Sequence, residues 1–465
     1  MIGHDTETGR QKRLAIRGGP KAVTGWTGEV KPKIGLEEFL SVARRFGLSP
    51  DAIRRVAQAL TPGDFPPGGP HLGRYIGACP APPAGEQYEA VVRETFDIPY
   101  VFAVSSGTAA LHSAFVGVGV GPGTEVIVPA LGFIATGMAV MLAGGIPVFC
   151  DVDTSLHLDP GKLEALITSR TVAVAPTHHW GAVCDMNPVL EIARQHNLKV
   201  VEDCAQSPGA RYRGHDVGTL GDVGCFSISA YKIIGGGESG LVVTRDKRIF
   251  DRIRQCAESG GLWRQDRFAP PREAGELFPG TNYRLSELEA AVNQVQFTKL
   301  RRYCAEYRKA SLRIRRQLPR YREIVPQKLN DPDGCIGYML RFFPGTCDRA
   351  AAIAEALRAE GISANHRGAQ HPPDWHMARD MFPINLKTGH TPGGSVFDDP
   401  RNAESRDLGG YRPGQCPMAE DLYAREVAIS IQHWFSEQDC DAVALGIEKV
   451  LTAFCTQDLA GQPWE

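Results

Sequence analysis

The chain has 465 residues, of which 43% are hydrophobic and 22% are charged, close to the composition of ordinary globular proteins. This mixture excludes a disordered chain and a fibrous repeat. The 51 basic and 53 acidic side chains leave a formal net charge of -2, which is not the basic excess that holds a nucleic-acid backbone, so nucleic acid is not an expected partner.

Cysteine spacing and one uncharged stretch bear on location. The twelve cysteines are scattered, and no two have the spacing of a zinc or redox pair. The beginning of the sequence also contains no apolar run of the kind found in signal peptides. Both observations predict a cytoplasmic protein.

The stretch between Glu125 and Asp151 carries no charge and is long enough to span a bilayer. Its prolines and glycines divide it into strand, turn, helix, turn and strand, so we expect a buried segment and no membrane partner.

Residues 1–85 are predicted to form an N-terminal extension. It begins with an extended arm over 1–35, followed by a helical pattern from Leu36 to Leu60, in which a second helix starts at Ser49-Pro50. A Pro/Gly-rich linker follows, and we expect the compact fold to begin near Glu86.

Residues 86–318 alternate apolar strand-like runs with amphipathic helical stretches. The predicted strands are 101–104, 125–128, 146–149, 171–175, 199–202, 223–228 and 241–244. The predicted helices are 107–118, 133–143, 160–168 and 186–196, with a longer helical segment from Leu285 to Leu318. This alternation predicts a large α/β domain with a mostly parallel sheet that is covered on both faces.

Residues 319–465 are predicted to form a smaller C-terminal α+β domain. An aperiodic insertion at 370–416, rich in Pro, Gly, Asp and Arg, interrupts it. His366, His371 and His376 lie in or beside this insertion, five residues apart, a spacing that does not place them on one helical face. We interpret them as a surface cluster, and no metal site is predicted.

Three features of the large domain together indicate a cofactor site. Ser106-Gly107-Thr108 follows a strand and opens a helix, whose N-terminus can bind a phosphate. Asp203 ends a buried strand at the sheet edge where α/β proteins bind ligands. Lys232 follows another strand among apolar residues that would lower its pKa, as a Schiff-base nucleophile requires. Each feature alone has an ordinary structural explanation, but together they match the anchoring needs of pyridoxal 5′-phosphate.

Seven motifs carry a resemblance to a known family. They are SSGTAAL at 105–111, EVIVPALGFIATGMAV at 125–140, GIPVFCDVD at 145–153, PTHHWG at 176–181, VVEDCAQSPGA at 200–210, GDVGCFSISAYK at 221–232 and GTNYRLSELEAA at 280–291. In this order they resemble the DegT/DnrJ/EryC1/StrS family of pyridoxal-phosphate-dependent sugar and cyclitol aminotransferases. The resemblance covers residues 72–318 well and the remainder more loosely, and it implies the fold-type I architecture of a large cofactor domain and a smaller C-terminal domain.

The resemblance also implies a role for eight residues. Lys232 would hold the cofactor covalently and later move a proton between cofactor and substrate carbon, while Asp203 would keep the pyridine nitrogen protonated. The other implied contacts are Phe133 stacked on the ring, Gly107, Thr108 and Ser227 around the phosphate, Gln206 near the ring hydroxyl, and Asn282 reaching the phosphate from a neighbouring subunit. The last of these implies a homodimer with shared active sites.

Some positions depart from the family pattern. Ser239 stands where a glycine is usual, and such a glycine often permits a positive φ. His179 stands where a leucine is common; we interpret it as a hydrogen-bonded structural histidine rather than a substrate contact. Residues 229–231 match no subgroup, whereas the GGPKAV arm at 18–23 is shared with members that act on keto-cyclitols.

The expected reaction is transfer of an amino group from an amino acid, usually glutamine or glutamate in this family, to a keto-sugar or keto-cyclitol in a biosynthetic pathway of secondary metabolism. A nicotinamide-dependent oxidoreductase is disfavoured, because the glycines from Gly117 to Gly123 follow a helix and do not form a G-x-G-x-x-G. Two alternatives stay open: an enzyme with the same cofactor and fold but dehydratase or oxidative chemistry, and a non-catalytic sugar-binding relative. The presence of Lys232 and Asp203 favours amino transfer.

Overall fold

The computed structural model describes residues 11, 13–28, 34–66, 69–74, 82–405, 411–461 and 464. Contacts divide the chain after Leu72 into two units. The predicted arm and linker lie partly outside the described residues.

The N-terminal unit contains the two predicted helices, α1 (Leu36–Arg45) and α2 (Pro50–Ala59). Ser49 precedes α2, and its hydroxyl accepts a hydrogen bond from the Ala52 N–H at 3.2 Å. Pro50 at the first helical position has no N–H to leave unsatisfied, so this start follows from residue type.

A seven-stranded sheet forms the centre of the second unit. Nine strands lie in this part of the described chain, and seven of them belong to the sheet. In chain order they are β1 (Tyr100–Val104), β2 (Glu125–Pro129), β3 (Ile146–Cys150), β4 (Thr171–Val174), β5 (Lys199–Asp203), β6 (Arg211–Tyr212), β7 (His215–Asp216), β8 (Val223–Ser227) and β9 (Gly240–Thr244). Strands β6 and β7 form a separate short hairpin, and the others lie in the order β1-β9-β8-β5-β4-β2-β3. Strand β9 runs antiparallel to both neighbours, and the other pairs are parallel. The predicted α/β class is confirmed.

Helices cover both faces of this sheet. They are α3 (Ala84–Phe96), α4 (Gly107–Val118), α5 (Ala135–Leu142), α6 (Pro160–Leu163), α7 (Met186–Gln195), α8 (Lys247–Ala257), α9 (Glu287–Thr298) and α10 (Leu300–Arg315). Alternate residues of β1 belong to two different apolar clusters, Phe102 and Val104 to one and Val101 and Ala103 to the other. Because successive side chains of a strand point to opposite faces, each cluster fills one side of the sheet.

Three predicted helices differ from those observed. The segment predicted at 133–143 becomes helical only at Ala135, which leaves Phe133 in the preceding loop. The α-helix predicted at 160–168 ends at Leu163 and continues as a 3₁₀ turn. The long segment from residue 285 is two helices that meet at Lys299, whose backbone keeps right-handed helical dihedrals. No glycine or proline marks this junction, so residue type could not reveal it.

The uncharged stretch is the buried unit β2-α5-β3, as predicted. Among the described residues, no helix has both the length and the apolar character needed to cross a membrane.

The C-terminal part is built on a second, antiparallel sheet. Its strands are β10 (Ile324–Pro326), β11 (Met339–Pro344), β12 (Ala364–His366) and β13 (Val427–Ser430), in the order β10-β11-β13-β12. Its helices are α11 (Cys347–Ala359), α12 (Phe382–Asn385), α13 (Pro417–Arg425) and α14 (Glu437–Phe454). A third apolar cluster lies around this sheet. The domain boundary at residue 319 stays a prediction.

The insertion at 370–416 is attached to the large sheet rather than extended from it. The Asn402 side chain accepts a hydrogen bond from the Gly123 N–H at 2.6 Å and donates to the Gly144 carbonyl at 3.1 Å. These contacts tie the insertion to the turns that precede β2 and β3. Residues 406–410 lie outside the described part of the chain.

Candidate active site

A cavity of about 400 Å³ lies at the carboxyl edge of the large sheet. Seven of the eight cofactor contacts named from the sequence line it: Gly107, Thr108, Phe133, Asp203, Gln206, Ser227 and Lys232. They meet there because β5 and β8 end, and α4 begins, at this edge, where open α/β sheets bind ligands.

Asn282 is not in the cavity lining. It is exposed, and its backbone forms an isolated bridge with Glu258. Its contact with the phosphate of a neighbouring subunit stays a prediction.

The N-terminus of α4 forms one wall of the cavity. The Ser106 hydroxyl caps the helix by accepting from the Ala109 N–H at 3.1 Å. A Cβ atom at Gly107 would lie 2.8 Å from the Ser227 Cβ, so only glycine allows the helix to approach β8 this closely. The first turn of α4 and the side chains of Thr108 and Ser227 therefore line the same part of the cavity, and a helix N-terminus with hydroxyl groups beside it is suited to an anion.

The Asp203 carboxylate is held in a fixed orientation below the cavity. The Thr136 hydroxyl donates to one of its oxygens at 2.6 Å, and the Ala205 N–H donates to the other at 3.0 Å. The aspartate itself is only 3% exposed. Sequence reasoning missed Thr136, although its place three residues after Phe133 could have pointed to it.

Lys232 lies in the turn that follows β8, where its N–H donates to the Ser229 carbonyl at 3.0 Å. Burial lowers the pKa of Lys232, and the charge of Asp203 partly opposes this shift. The predicted direction is confirmed, but the preceding neighbour does not cause it, since Tyr231 is 92% exposed. A lowered pKa leaves more of the amine neutral and nucleophilic at a given pH.

Ser239 does not require the backbone freedom of the glycine that the family has there. It is buried and is not among the residues with positive φ, whereas Gly237 has a φ of 152°. The hydroxyl of Ser239 has no hydrogen-bond partner among the described residues.

A second cavity of about 280 Å³ adjoins the first at Lys232. Its walls include the rings of Trp180, Tyr307, Tyr338 and His376. Trp180 has a φ of 50°, a conformation unfavourable for a bulky residue. The backbone N–H of Trp180 donates to the Gln206 side-chain oxygen at 3.2 Å, and Gln206 lines both cavities.

The interpretation of His366, His371 and His376 as a surface cluster is wrong for His371 and His376. The insertion folds back over the site, so that His376 lines both cavities. The His371 side chain is only 4% exposed, and its ring lies 3.1 Å from a guanidinium nitrogen of Arg379. Sequence spacing could not show this, because the fold and not a shared helix brings the insertion to the site.

A buried network lies beneath the site. The His178 Nε2 donates to Glu202 at 3.0 Å, and its Nδ1 accepts from the Cys184 N–H at 3.2 Å. Three backbone N–H groups donate to the Glu202 carboxylate, those of Gly218, Leu220 and Gly221. These bonds use both ring nitrogens of the histidine, so the network supports the loop that carries Trp180.

His179 is buried as expected, but its predicted hydrogen bonds are absent. Neither ring nitrogen has a partner among the described residues, and the ring stacks on Trp180 with 3.3 Å between centroids. Burial lowers the pKa of His179 well below its usual range, and the charges of His376 and Arg341 act in the same direction.

His179→Leu is expected to raise the free energy of unfolding at neutral pH by about 1–3 kcal/mol, because buried polar atoms without partners destabilise the folded state. The neutral ring also makes stability depend on pH. Above pH 6.5 the contribution of the His179 ring to the free energy of unfolding is constant. Below pH 6.5 the free energy of unfolding falls by about 1.4 kcal/mol per pH unit, because only the unfolded state binds a proton on this ring. Urea unfolding at pH 7 and pH 5 should therefore show a smaller acid loss in the variant.

The matched control for this variant is His390→Leu at an exposed position of the insertion, expected to change stability by less than about 0.5 kcal/mol. A His179→Leu variant that is less stable than the wild type would contradict the proposed absence of polar contacts.

The residues of the first cavity fit pyridoxal 5′-phosphate. The cradle of α4 suits its phosphate, the fixed carboxylate of Asp203 suits its ring nitrogen, and the half-buried amine of Lys232 suits its aldehyde. Phe133 is 41% exposed and contributes an aromatic ring to the same cavity.

Comparisons with known proteins agree with this fit. Residues 82–371 match the model of the DegT/DnrJ/EryC1/StrS aminotransferase family. The chain is 36% identical over 309 residues to a GDP-perosamine synthase of Caulobacter vibrioides, and this alignment covers 64% of this chain and 80% of the relative. It is 35% identical over 319 residues to an L-glutamine:2-deoxy-scyllo-inosose aminotransferase of Streptomyces lividus. That alignment covers 66% of this chain and 73% of the relative.

A solved structure gives the same result. The 3-amino-5-hydroxybenzoic acid synthase superposes with a TM-score of 0.62 at 27% identity, over 80% of this chain and 91% of that one. The chain belongs to the DegT/DnrJ/EryC1/StrS aminotransferase family, and it is an aminotransferase that depends on pyridoxal 5′-phosphate.

Proposed function

We propose that this enzyme transfers an amino group from glutamine or glutamate to a keto-sugar or keto-cyclitol. The observation that carries the proposal is the arrangement of Lys232 between two cavities, one with the chemistry of a cofactor site and the other walled by aromatic rings. The second cavity leaves room for a substrate beside the amine.

Lys232 holds the cofactor and moves the proton in this proposal. Its partly buried amine has a lowered pKa, so it can attack an aldehyde and, once released, accept a proton from a substrate carbon. The bound cofactor supplies an aldehyde carbon for the amino group and a ring that withdraws electrons.

Asp203 keeps a proton on the ring nitrogen. The Thr136 hydroxyl and the Ala205 N–H each donate a hydrogen bond to one carboxylate oxygen of Asp203. The two hydrogen bonds hold the plane of the carboxylate in place. A carboxylate is suited to this role because it can pair with a cationic nitrogen.

The remaining contacts position the cofactor. Gly107, Thr108 and Ser227 would hold the phosphate, Phe133 would stack on the ring, and Gln206 would contact the ring hydroxyl. The exposure of Asn282 outside the cavity supports its proposed contact with a second subunit, and with it a homodimer.

Two broader proposals accompany this assignment. The eleven cysteines within the described residues are free thiols, which supports a reducing, cytoplasmic location. The separate antiparallel sheet and apolar cluster support a distinct C-terminal domain from residue 319 onward.

The names of the relatives support both parts of the acceptor class. One is named for a nucleotide-linked amino sugar and the other for a cyclitol and a glutamine donor. The shared chemistry is a ring that carries a ketone and hydroxyl groups.

A ketone screen tests the acceptor class. The protein is loaded with pyridoxamine 5′-phosphate, ketones are added, and recovery of the visible absorption of the pyridoxal form is recorded. We expect recovery with at least one keto-sugar or keto-cyclitol, because the second cavity lies next to Lys232, and no recovery with cyclohexanone.

The keto acids of glutamine and glutamate serve as positive controls for the donor half-reaction. Recovery with these acids but with no keto-sugar or keto-cyclitol would reject the acceptor class while keeping the cofactor assignment.

A further inference from the structure

The insertion places one histidine at the junction of the two cavities. The Gly132 N–H donates to the His376 carbonyl at 3.0 Å, and the Ile134 N–H donates to the Trp375 carbonyl at 2.8 Å. An isolated antiparallel bridge joins Leu131 and Met377. The backbone on both sides of His376 is therefore fixed to the loop that carries Phe133.

Asp374 orients the imidazole of His376. One oxygen of its carboxylate lies 2.9 Å from the His376 Nδ1 and accepts from the His376 N–H at 2.9 Å. The other oxygen accepts from the Tyr423 hydroxyl at 2.7 Å and from Arg367. Burial alone would raise the pKa of Asp374, but these hydrogen bonds outweigh it and lower the pKa, so the group is a carboxylate.

The ionised carboxylate determines which ring nitrogen carries the proton. A carboxylate can only accept, so the Nδ1 of His376 must donate to Asp374. In the neutral ring the Nε2 is then a hydrogen-bond acceptor, and the ring lines both cavities beside Lys232. A carboxylate that orients a histidine in this way also makes the free nitrogen a better acceptor.

The surroundings of this acceptor are aromatic. The ring centroid of His376 lies 5.3 Å from that of Phe133 and 5.7 Å from that of Trp180. Tyr307 and Tyr338 form further walls of the second cavity. Flat apolar walls with one strong acceptor suit a ring that has C–H faces and hydroxyl groups at its edge.

We propose that His376 is a substrate-binding residue whose Nε2 accepts a hydrogen bond from a hydroxyl group of the keto acceptor, with Asp374 as its positioning residue. This inference rests on the proposed function. It assigns part of acceptor recognition to the insertion, and it restricts the substrate class to ketones that bear a ring hydroxyl.

Two substitutions of His376 distinguish the loss of the hydrogen-bond acceptor at Nε2 from the loss of the hydrogen bond to Asp374. In His376→Asn the amide nitrogen takes the place of Nδ1 and can still donate to Asp374, but the amide oxygen lies near the place of Cδ2 and stops short of the position of Nε2. In His376→Gln the amide oxygen can reach the place of Nε2 and restore the acceptor. His390→Asn, at an exposed position of the same insertion, is the matched control.

The measurement is steady-state kinetics of the holoenzyme with 2-deoxy-scyllo-inosose and with GDP-4-keto-6-deoxymannose, using whichever reacts faster with the wild type. We expect His376→Asn to raise the KM of the ketone about tenfold or more at little change in kcat, and His376→Gln to stay within about threefold of the wild type. Asp374→Asn should also raise this KM. In His376→Asn the donor half-reaction should slow less than the ketone half-reaction, and His390→Asn should leave both rates and the spectrum of the bound cofactor unchanged.

An unchanged KM in His376→Asn would overturn the inference while leaving the proposed function intact, and so would an equal slowing of the donor half-reaction. A wild-type enzyme that reacts with neither of these ketones, nor with any keto-sugar or keto-cyclitol of the screen, would reject the proposed acceptor class and the inference with it.

Discussion

Lys232→Ala is expected to lower the rate of amino transfer by about 10³-fold or more. The methyl group of alanine cannot form a bond to the cofactor, nor can it carry a proton to or from a substrate carbon. The partly buried lysine with a lowered pKa is the amine that the first cavity offers to an aldehyde. Borohydride reduction followed by mass spectrometry of the peptides should find the cofactor on Lys232 in the wild type and on no peptide of the variant.

Lys449→Ala is the matched control, because this lysine is exposed and pairs with Glu360 on the surface. Its rate and its labelled peptide should equal those of the wild type. If Lys232→Ala keeps the covalent label, another amine holds the cofactor and the assignment fails.

Asp203→Asn is expected to lower kcat by about 10²–10⁴-fold while cofactor binding persists. The amide has the shape of the carboxylate but no negative charge with which to hold a proton on the ring nitrogen. One of its two atoms would also be an N–H₂ group facing a donor, either Thr136 or the Ala205 N–H. Turnover and the absorption spectrum of the bound cofactor should both change.

The control for this variant is Asp222→Asn. Asp222 precedes β8 and therefore lies at the amino edge of the sheet, where it accepts from Lys199 at 2.8 Å. We expect its kcat to remain within about twofold of the wild type, since surface ion pairs contribute little. A normal kcat in Asp203→Asn would remove this residue from the reaction.

Most of the cofactor site was predictable because its residues are adjacent to strand ends in the chain. Asp203 is the last residue of β5 and Ser227 the last of β8, and the apolar runs of buried parallel strands reveal where they end. Gly107 begins α4 three residues after the end of β1, so a short motif contains both the strand end and the helix start. The proposed roles of these residues stay predictions.

The surroundings of the site were less predictable. His376 is more than 140 residues from Lys232 along the chain, and backbone pairing with the Phe133 loop brings it to the cavity. The orientation of Asp203 by Thr136 depends on where α5 begins, which differs by two residues from the prediction. We expected hydrogen-bond partners for the His179 ring because buried polar groups normally have them. Its two ring nitrogens have no partner among the described residues.

The amino-acid sequence by itself determined the α/β class, the family, the cofactor and the strand ends from which its contacts project, because apolar periodicity and short motifs are local properties of the chain. Only the tertiary structure decided which side chains surround Lys232 on the substrate side. The insertion and the aromatic walls meet there through packing between distant segments, and that packing depends on the whole core rather than on any one stretch of residues.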